Sequence, residues 1–358
     1  MELAWGKKKF RQKFETNYPF LLKGLKHPLR LLNMLGVRLY SNRFQPVHNP
    51  FLPWTLDIEP TVSCNLRCVM CHSNKIRDKR EIKNMTFESF VKIIDSVPTL
   101  LRVTIQGMGE PLLSPDFIRM VSYASQNDIA VTTTLNATFI NKEIARKIIE
   151  SGISRIYISL DGATKETYEN IRVGAVFEKT LEGIRNLVAA RKKKGRPFID
   201  LWMVGIGDNI HELPLMVDLA AELNVDSLTL QPDVTYWGKD EFREKIRRKS
   251  LSNQGKAVAE LVEEAQKKAE EKGLNFVYVR KTRFTPGNPC VWPWQAGFIS
   301  TDGRMVPCCL LADPDIINFG NVLDIPFKEI WNGDRIKELR RTIKEGKLNH
   351  YCRDCYTP

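Results

Sequence analysis

The stretch CNLRCVMC, Cys64 to Cys71, places three of the chain's eight cysteines within eight residues, with gaps of three and then two. The other five, Cys290, Cys308, Cys309, Cys352 and Cys355, fall in the last fifth of the chain. What each group holds depends first on redox compartment. There is no run of eighteen apolar residues, and the opening MELAWGKKKFRQKF has no apolar stretch behind its charges and no small-residue cleavage site. The expectation is a cytoplasmic protein. Thiols there stay reduced, and clustered cysteines serve metals or catalysis rather than disulfides.

Three thiols on one short loop converge on a common point. Structural zinc takes four ligands, usually as CxxC pairs, and His72 adjoins Cys71 too closely to share a tetrahedral site with ease. A 4Fe–4S cubane suits the count better, because three cysteines leave one iron open to a small molecule. The loop follows a strand, WTLDIEP from Trp54. Strands LRVTIQ, IAVTTTL, RIYISL, FIDLWMV and SLTLQP come after it. Helices alternate with them: one opened by Thr86, then Pro115–Gln126, Lys142–Glu150, Val176–Lys194 and His211–Leu223. Thr86 is a helix N-cap, and Gly152 and Gly195 are stops. Alternation implies a parallel sheet with right-handed crossovers, and six units imply a partial (β/α)6 TIM-like barrel. Residues 237–285 read as helical and charged, with a strand-like FVYV at 276–279. GFISTDGRMVPC reads as a hairpin about TDG, and a last helix is expected over Phe327–Lys344. The expected division is a basic N-terminal extension at 1–53, the barrel at 54–235, a helical connector at 236–285 and a small iron–sulfur unit at 286–358.

CxxxCxxC with a hydrophobic residue, Met70, before its third cysteine resembles the radical S-adenosylmethionine (SAM) superfamily. The resemblance spans about residues 54–235 and implies a 4Fe–4S cluster on Cys64, Cys68 and Cys71. In that family the open iron chelates the amino and carboxylate groups of SAM. One electron then cleaves the sulfonium to a 5′-deoxyadenosyl radical. In QGMGEPLL, Gly107, Gly109 and Glu110 resemble the GGE motif that holds the SAM ammonium. Its glycines would let backbone approach the ligand, and its carboxylate would meet the cation. Asn136 in TTTLNAT resembles the Asn of the family's TNG turn, with Ala137 where glycine is usual. Ser159 of ISLDG is implied near the SAM ribose or carboxylate. Arg172 in YENIRVGAVFEKTLEGI is implied to pair with the SAM carboxylate, a task that suits a guanidinium fork.

The second group runs Cys290, twelve residues, Gly303, four residues, Cys308, then Cys352 and Cys355 as CxxC. A zinc ribbon would usually show two CxxC pairs, and only one is present. The pattern resembles the twitch domain, the short form of the SPASM domain. It implies one auxiliary 4Fe–4S cluster on Cys290, Cys308, Cys352 and Cys355, with Cys309 left over. Only three residues follow Cys355, so no ligands are expected for a second auxiliary cluster. A fully ligated cluster serves electron transfer or orders its unit.

The net charge is +12, and residues 1–50 carry ten Lys and Arg against two acids, hence eight of those twelve charges. The basicity therefore belongs to the extension, and no nucleic-acid-binding face is expected on the barrel. Leu25, Leu29, Leu32, Leu35 and Leu39 recur at three-to-four spacing among Lys23, Lys26, Arg30 and Arg38. Two readings follow: peripheral contact with an anionic membrane through residues 1–45, or leucines packed on the barrel with Lys and Arg exposed, the latter slightly favoured. The expected function is a radical SAM enzyme that oxidises or dehydrogenates a small molecule, served by a flavodoxin- or ferredoxin-type electron donor. A peptide maturase, modification of a lipid or membrane-bound precursor, and a non-catalytic iron–sulfur or zinc scaffold are the alternatives. Gln231, Asp233 and Tyr236 follow the sixth strand and could face a substrate, though plain loop roles suit them better. No catalytic acid or base is legible.

Overall fold

A computed structural model of the chain describes residues 23–71, 73, 76, 78–81, 83–191, 196–232, 251, 255–279, 284–285, 288–353 and 355. His72, Lys194, Gly195, Asp233 and Tyr236 lie outside these, as do residues 1–22 and most of 236–254.

Helix α1 (Pro28–Arg43) precedes the sheet. Strands β1 (Thr55–Ile58), β2 (Arg102–Ile105), β3 (Ala130–Leu135), β4 (Arg155–Ser159), β5 (Phe198–Val204) and β6 (Ser227–Gln231) pair in parallel, each with the next. Between them run α2 (Phe87–Asp95), α3 (Phe117–Gln126), α4 (Lys142–Glu150), α5 (Lys165–Ile171), α6 (Phe177–Ala190) and α7 (Leu213–Glu222). Thr86 caps α2 by accepting from Ser89 N, and Gly152 takes the left-handed φ of +81° just past α4. The sheet continues past the six expected strands. After α8 (Gly255–Glu271), β7 (Asn275–Tyr278) adds to β6. After α9 (Trp292–Gln295), β8 (Ala296–Ile299) adds to the free side of β1. The parallel order is β8-β1-β2-β3-β4-β5-β6-β7, open between β7 and β8. Strand β9 (Arg304–Val306) turns back on β8 and carries β10 (Gly320–Asn321), the hairpin read at TDG. The segment expected as a small C-terminal unit thus contributes a strand to the main sheet.

The last helix is broken in two, α10 (Phe327–Trp331) and α11 (Asp334–Lys344), rather than running on over Phe327–Lys344. Asn332 sits at the break because its amide is taken by Asn49: its Oδ1 accepts from Asn49 N at 2.9 Å, and its Nδ2 donates to Asn49 O at 3.0 Å. Gly333 is extended there. A short α12 (His350–Arg353) follows.

Alternate residues of the strands explain what the sheet surrounds. Leu56, Ile58, Val103, Ile105, Ile156, Ile158, Leu201, Met203, Leu228 and Leu230 join Phe90, Ile93, Met120, Ile148 and Leu187 of the helices in one core. The intervening residues are Asp57, Thr104, Thr132, Thr134, Tyr157, Asp200, Trp202, Thr229 and Gln231. Thr132 Oγ1 donates to Thr104 Oγ1 at 3.0 Å, Thr134 Oγ1 to Gln106 Oε1 at 2.7 Å, and Trp202 Nε1 to Gln231 Oε1 at 3.0 Å. A parallel sheet with helices on both faces reads as continuous apolar runs. Here helices cover one face, and the other, the interior of the open barrel, is hydrophilic. One carboxyl oxygen of Asp200 is buried there with no hydrogen-bond partner among the described residues.

Helix α1 packs on the barrel by the face opposite to the one the leucine pattern suggested. Lys23 Nζ donates to Ile129 O at 2.9 Å, Lys26 and His27 meet Asp128, and Arg30 donates to Pro98 O and Asn127 O. Met34 and Val37 are buried with Trp54, Leu101 and Ala130. The leucines point outward. The α3–β3 loop presents an acid and several carbonyls, so the cationic side of the helix has partners on the protein.

Glu59, just past β1, joins the two ends of the chain. It is fully buried; its Oε1 accepts from Met108 N at 2.9 Å and its Oε2 from Thr301 N at 3.2 Å. Arg80 lies 3.7 Å from that second oxygen and donates to Thr301 Oγ1 at 3.1 Å. Glu59→Ala would strand two buried amides and leave Arg80 with Asp302, 3.5 Å away, as its carboxylate. It should destabilise the protein by about 2–5 kcal/mol, read as a lower urea midpoint, because each stranded amide keeps its desolvation cost. A loss below about 1 kcal/mol would show that water replaces the carboxylate there.

Candidate functional site

The cysteine loop follows β1 and is fastened on several sides before any ligand is considered. Thr61 bridges to Asn84, and Val62 N donates to Lys83 O at 2.9 Å. Glu110 N donates to Ser63 O at 2.8 Å. Arg67 N and Val69 N donate to Val173 O and Ile171 O, each at 2.9 Å. The loop is thereby held between the β2 loop and the segment that follows α5, at the carboxyl ends of the strands, where barrel enzymes carry their sites.

The glycines of QGMGE are spent on this packing. A Cβ on Gly107 would come within 2.3 Å of Glu59 Cγ, and one on Gly109 within 2.4 Å of Ser63 O. Side chains there would push the β2 loop off the end of β1 and off the cysteine loop. Glu110 is buried; its Oε2 accepts from Asn136 N at 2.7 Å and its Oε1 from Leu112 N at 3.3 Å. Burial pushes its carboxyl up to about 7, against the pull of those two amides and of Arg172.

Asn136 reaches back to the cysteine loop. Its Nδ2 donates to Asn65 Oδ1 at 2.9 Å, between Cys64 and Cys68, and its Oδ1 accepts from Thr138 N and Oγ1. Ala137 has φ of +62°, the left-handed conformation that glycine adopts without strain, which accounts for glycine being usual at that turn. Ser159 ends β4, in register with Trp202.

Arg172 Nε donates to Asp161 Oδ2 at 2.6 Å, and its Nη1 lies 4.0 Å from Cys68 Sγ. Asp161 Oδ1 accepts from Val204 N at 2.7 Å. Burial works to lower the Arg172 pKa, but Asp161 and the Cys68 thiol outweigh it and raise it. The guanidinium is therefore fixed and charged beside one cysteine, with Asp161 as its anchor. Asp161 stood in the quoted ISLDG without a role, and its only signal in the sequence was an acid eleven positions before Arg172. Glu59 was likewise missed. The Cys68 thiol is pushed up to about 11 by burial. Cys71 Sγ lies 2.9 Å from Ser73 Oγ, and Leu66 N points at Cys64 Sγ from 3.5 Å.

The second group gathers at α9, the end of β9 and α12. Burial raises the Cys308 thiol well above its usual value, with Cys309, Cys290 and Cys352 close enough to add to it. Cys290 feels Cys355 in the same way, and Cys352 feels both Cys290 and Cys355. Cys309 packs with Ile76, Met108, Phe298, Val306 and Ala312, and feels both Asp57 inside the barrel and Cys355 of the second group. The second group thus abuts the barrel interior through Cys309 and the GMGE loop.

The donor chemistry suits iron–sulfur clusters in both places: three and four sulfurs respectively, without a histidine or carboxylate in either set. Among the described residues no three His, Cys, Asp or Glu side chains are grouped for a single metal ion. Thiolates around one zinc sit about 3.8 Å apart, whereas a cubane carries them on the corners of a larger iron–sulfide core.

A family model described as the Radical SAM superfamily matches residues 58–220, and one described as an iron–sulfur cluster-binding domain, SPASM, matches residues 290–356. The chain is 26% identical to the tungsten-containing aldehyde ferredoxin oxidoreductase cofactor-modifying protein of Pyrococcus furiosus, over 84% of this chain and 86% of that one. It is 25% identical to the AdoMet-dependent heme synthase of Methanosarcina barkeri, over 79% of this chain and 83% of that one. In fold it resembles Streptococcus suis SuiB, with a TM-score of 0.64 at 16% identity, covering 80% of this chain and 66% of SuiB. Native anSMEcpe gives a TM-score of 0.62 at 17% identity, covering 85% of this chain and 88% of that one. A parallel (β/α) barrel with a cysteine loop after its first strand, and a second cysteine set sharing its sheet, are the two parts these comparisons match, and the chain belongs to the radical SAM superfamily, with a C-terminal SPASM-like domain.

Proposed function

We propose that Cys64, Cys68 and Cys71 hold a SAM-binding 4Fe–4S cluster, and that Cys290, Cys308, Cys352 and Cys355 hold one auxiliary 4Fe–4S cluster. We further propose that the reaction oxidises a hydrophilic small molecule bound in the barrel. Bound there, the cluster and SAM supply the family's hydrogen-atom abstraction, and the auxiliary cluster supplies an electron acceptor. The observation that carries the oxidation reading is the position of Cys309 and Met108, which brings the second cysteine group against the barrel interior.

The chain's own residues bind and orient. Arg172, held by Asp161, presents charge beside Cys68 for the SAM carboxylate. Glu110, tied between the β2 and β3 loops, would meet the SAM ammonium. Gly107 and Gly109 admit the packing that fixes Glu110, and Asn136 fixes the cysteine loop through Asn65. Ser159 and Gln231, at the carboxyl ends of β4 and β6, face the interior with Thr134 and Trp202. Hydroxyls and an amide recognise a polyol or sugar-like alcohol by hydrogen bonds and offer nothing to a lipid chain. A peptide is the second reading, because the same groups serve backbone amides, and SuiB was solved bound to its precursor peptide SuiA. A flavodoxin- or ferredoxin-type protein would supply the electron, and a reducing cytoplasm would suit cysteines that hold clusters rather than disulfides.

Anaerobically reconstituted protein should hold about eight irons per chain, and about four once Cys64, Cys68 and Cys71 are all alanine. The triple variant should release no 5′-deoxyadenosine with dithionite. Cys352→Ala should still cleave SAM without substrate, and should lose product. Full product from Cys352→Ala would reduce the auxiliary site to a structural role and remove the oxidation reading. Stoichiometric zinc in place of iron would overturn both cluster assignments.

The pH dependence of SAM binding tests Glu110. Only its ionised form attracts an ammonium, and its pKa before binding is about 7. SAM affinity should therefore rise between pH 6 and pH 8, falling by up to about tenfold per unit below pH 7. Glu110→Gln should bind more weakly at pH 8 and show a flat profile. A parent protein with no pH dependence over this range would place the ammonium elsewhere.

A further inference from the structure

A helix that is apolar on two faces requires cover on both. Helix α1 is such a helix. Its inner face is settled against the barrel by Met34 and Val37, with Asn33 Nδ2 donating to Leu52 O at 2.9 Å. Its outer face carries Leu29, Leu32, Leu35 and Leu39, which are 78, 62, 56 and 59% exposed. Leu25 just before it and Phe44 just after it are 70% and 55% exposed. Spacings of three and four put the leucines on one stripe. Scattered surface leucines are ordinary, but a contiguous stripe of this length marks an interaction site.

We propose that this stripe docks the protein peripherally on an anionic membrane surface, with α1 lying in the plane of the interface. Charge chooses the occupant. Arg30 is turned to the barrel, but Arg38 and Arg43 are exposed, α1 has no Asp or Glu, and residues 1–53 contain only Glu2 and Glu15 as acids. A second copy of the chain would bring two acid-free cationic helices together, which like-charge repulsion disfavours. Anionic headgroups complement them while the acyl boundary takes the leucines. The sequence ahead of the stripe has the same character: Lys7, Lys8, Lys9, Arg11 and Lys13 stand among Trp5, Phe10, Phe14, Tyr18 and Phe20, a mixture suited to headgroups and the interface. No helix among the described residues is long and apolar enough to cross a membrane, so the contact proposed is peripheral. The anchoring of Lys23, His27 and Arg30 on the barrel fixes the stripe outward, so docking needs no rearrangement of the helix.

The test is flotation of the full chain with phosphatidylcholine vesicles, with and without phosphatidylglycerol. The protein should float with the anionic vesicles and release as salt rises. Changing Leu29, Leu32 and Leu39 together to Ser should cut the bound fraction about tenfold or more, since apolar burial drives the insertion. These side chains are exposed, so iron content and circular dichroism should match the parent. Equal flotation with neutral vesicles overturns the anionic assignment. Flotation that the triple variant retains overturns the stripe. A dimer that the triple variant loses, without flotation of the parent, assigns the stripe to a second copy and overturns the proposal.

Discussion

The carboxylate of Glu59 is the joint on which the remaining architecture rests. Buried at the carboxyl end of β1, it accepts from Met108 N on one side and from Thr301 N on the other, with Arg80 completing the site. Similar buried acids follow around the rim. Glu110 ties its own loop to the β3 loop, and Asp161 ties β4 to β5 through Val204 N. Glu212 accepts from Ala163 N and Thr164 N at the start of α5. A charge is expensive to bury, and each of these is offset by backbone donors from a neighbouring loop. The result is a set of loops cross-linked at the edge where the cysteines sit, so that side chains around a ligand are positioned before it arrives.

Much of this was legible in the sequence because it is local. The period of the strands, the Thr86 cap, the Gly152 stop and the spacing of both cysteine groups each depend on a few adjacent residues. What escaped is long-range. The pairing of β8 with β1 joins residues more than two hundred positions apart, and the short run AGFI reads as a hairpin arm whichever neighbour it finds. Asn332 breaks a helix because Asn49 occupies its amide, which no window of sequence contains. The leucines of α1 were seen as a stripe, but periodicity does not say which side of a helix the protein covers. There the partners of Lys23, His27 and Arg30 decided the outcome. Gly107 and Gly109 were read as positions where backbone approaches a ligand; their packing on Glu59 and Ser63 is a long-range contact that no window of sequence contains.

The interior and the rim together limit the chemistry. A barrel lined by Thr134, Tyr157, Trp202, Thr229 and Gln231 presents hydrogen-bonding groups, and one oxygen of Asp200, buried without a hydrogen-bond partner among the described residues, extends that character inward. The shared sheet places the two cysteine groups in one framework, because β8 lies directly beside β1. Motion between the groups would require breaking main-chain hydrogen bonds. A substrate in the barrel would therefore meet a fixed arrangement of both sites, and selectivity would come from which hydroxyls and amides it can satisfy.

The central claim is that the three-cysteine loop after β1, and not the C-terminal group, presents an open iron to SAM. The most direct measurement is electron–nuclear double resonance on the dithionite-reduced protein with SAM labelled with nitrogen-15 at its amino group. A nitrogen coupling to one cluster should survive when Cys352 is changed to Ala and vanish when Cys71 is. A coupling lost with Cys352→Ala and kept with Cys71→Ala would contradict the claim.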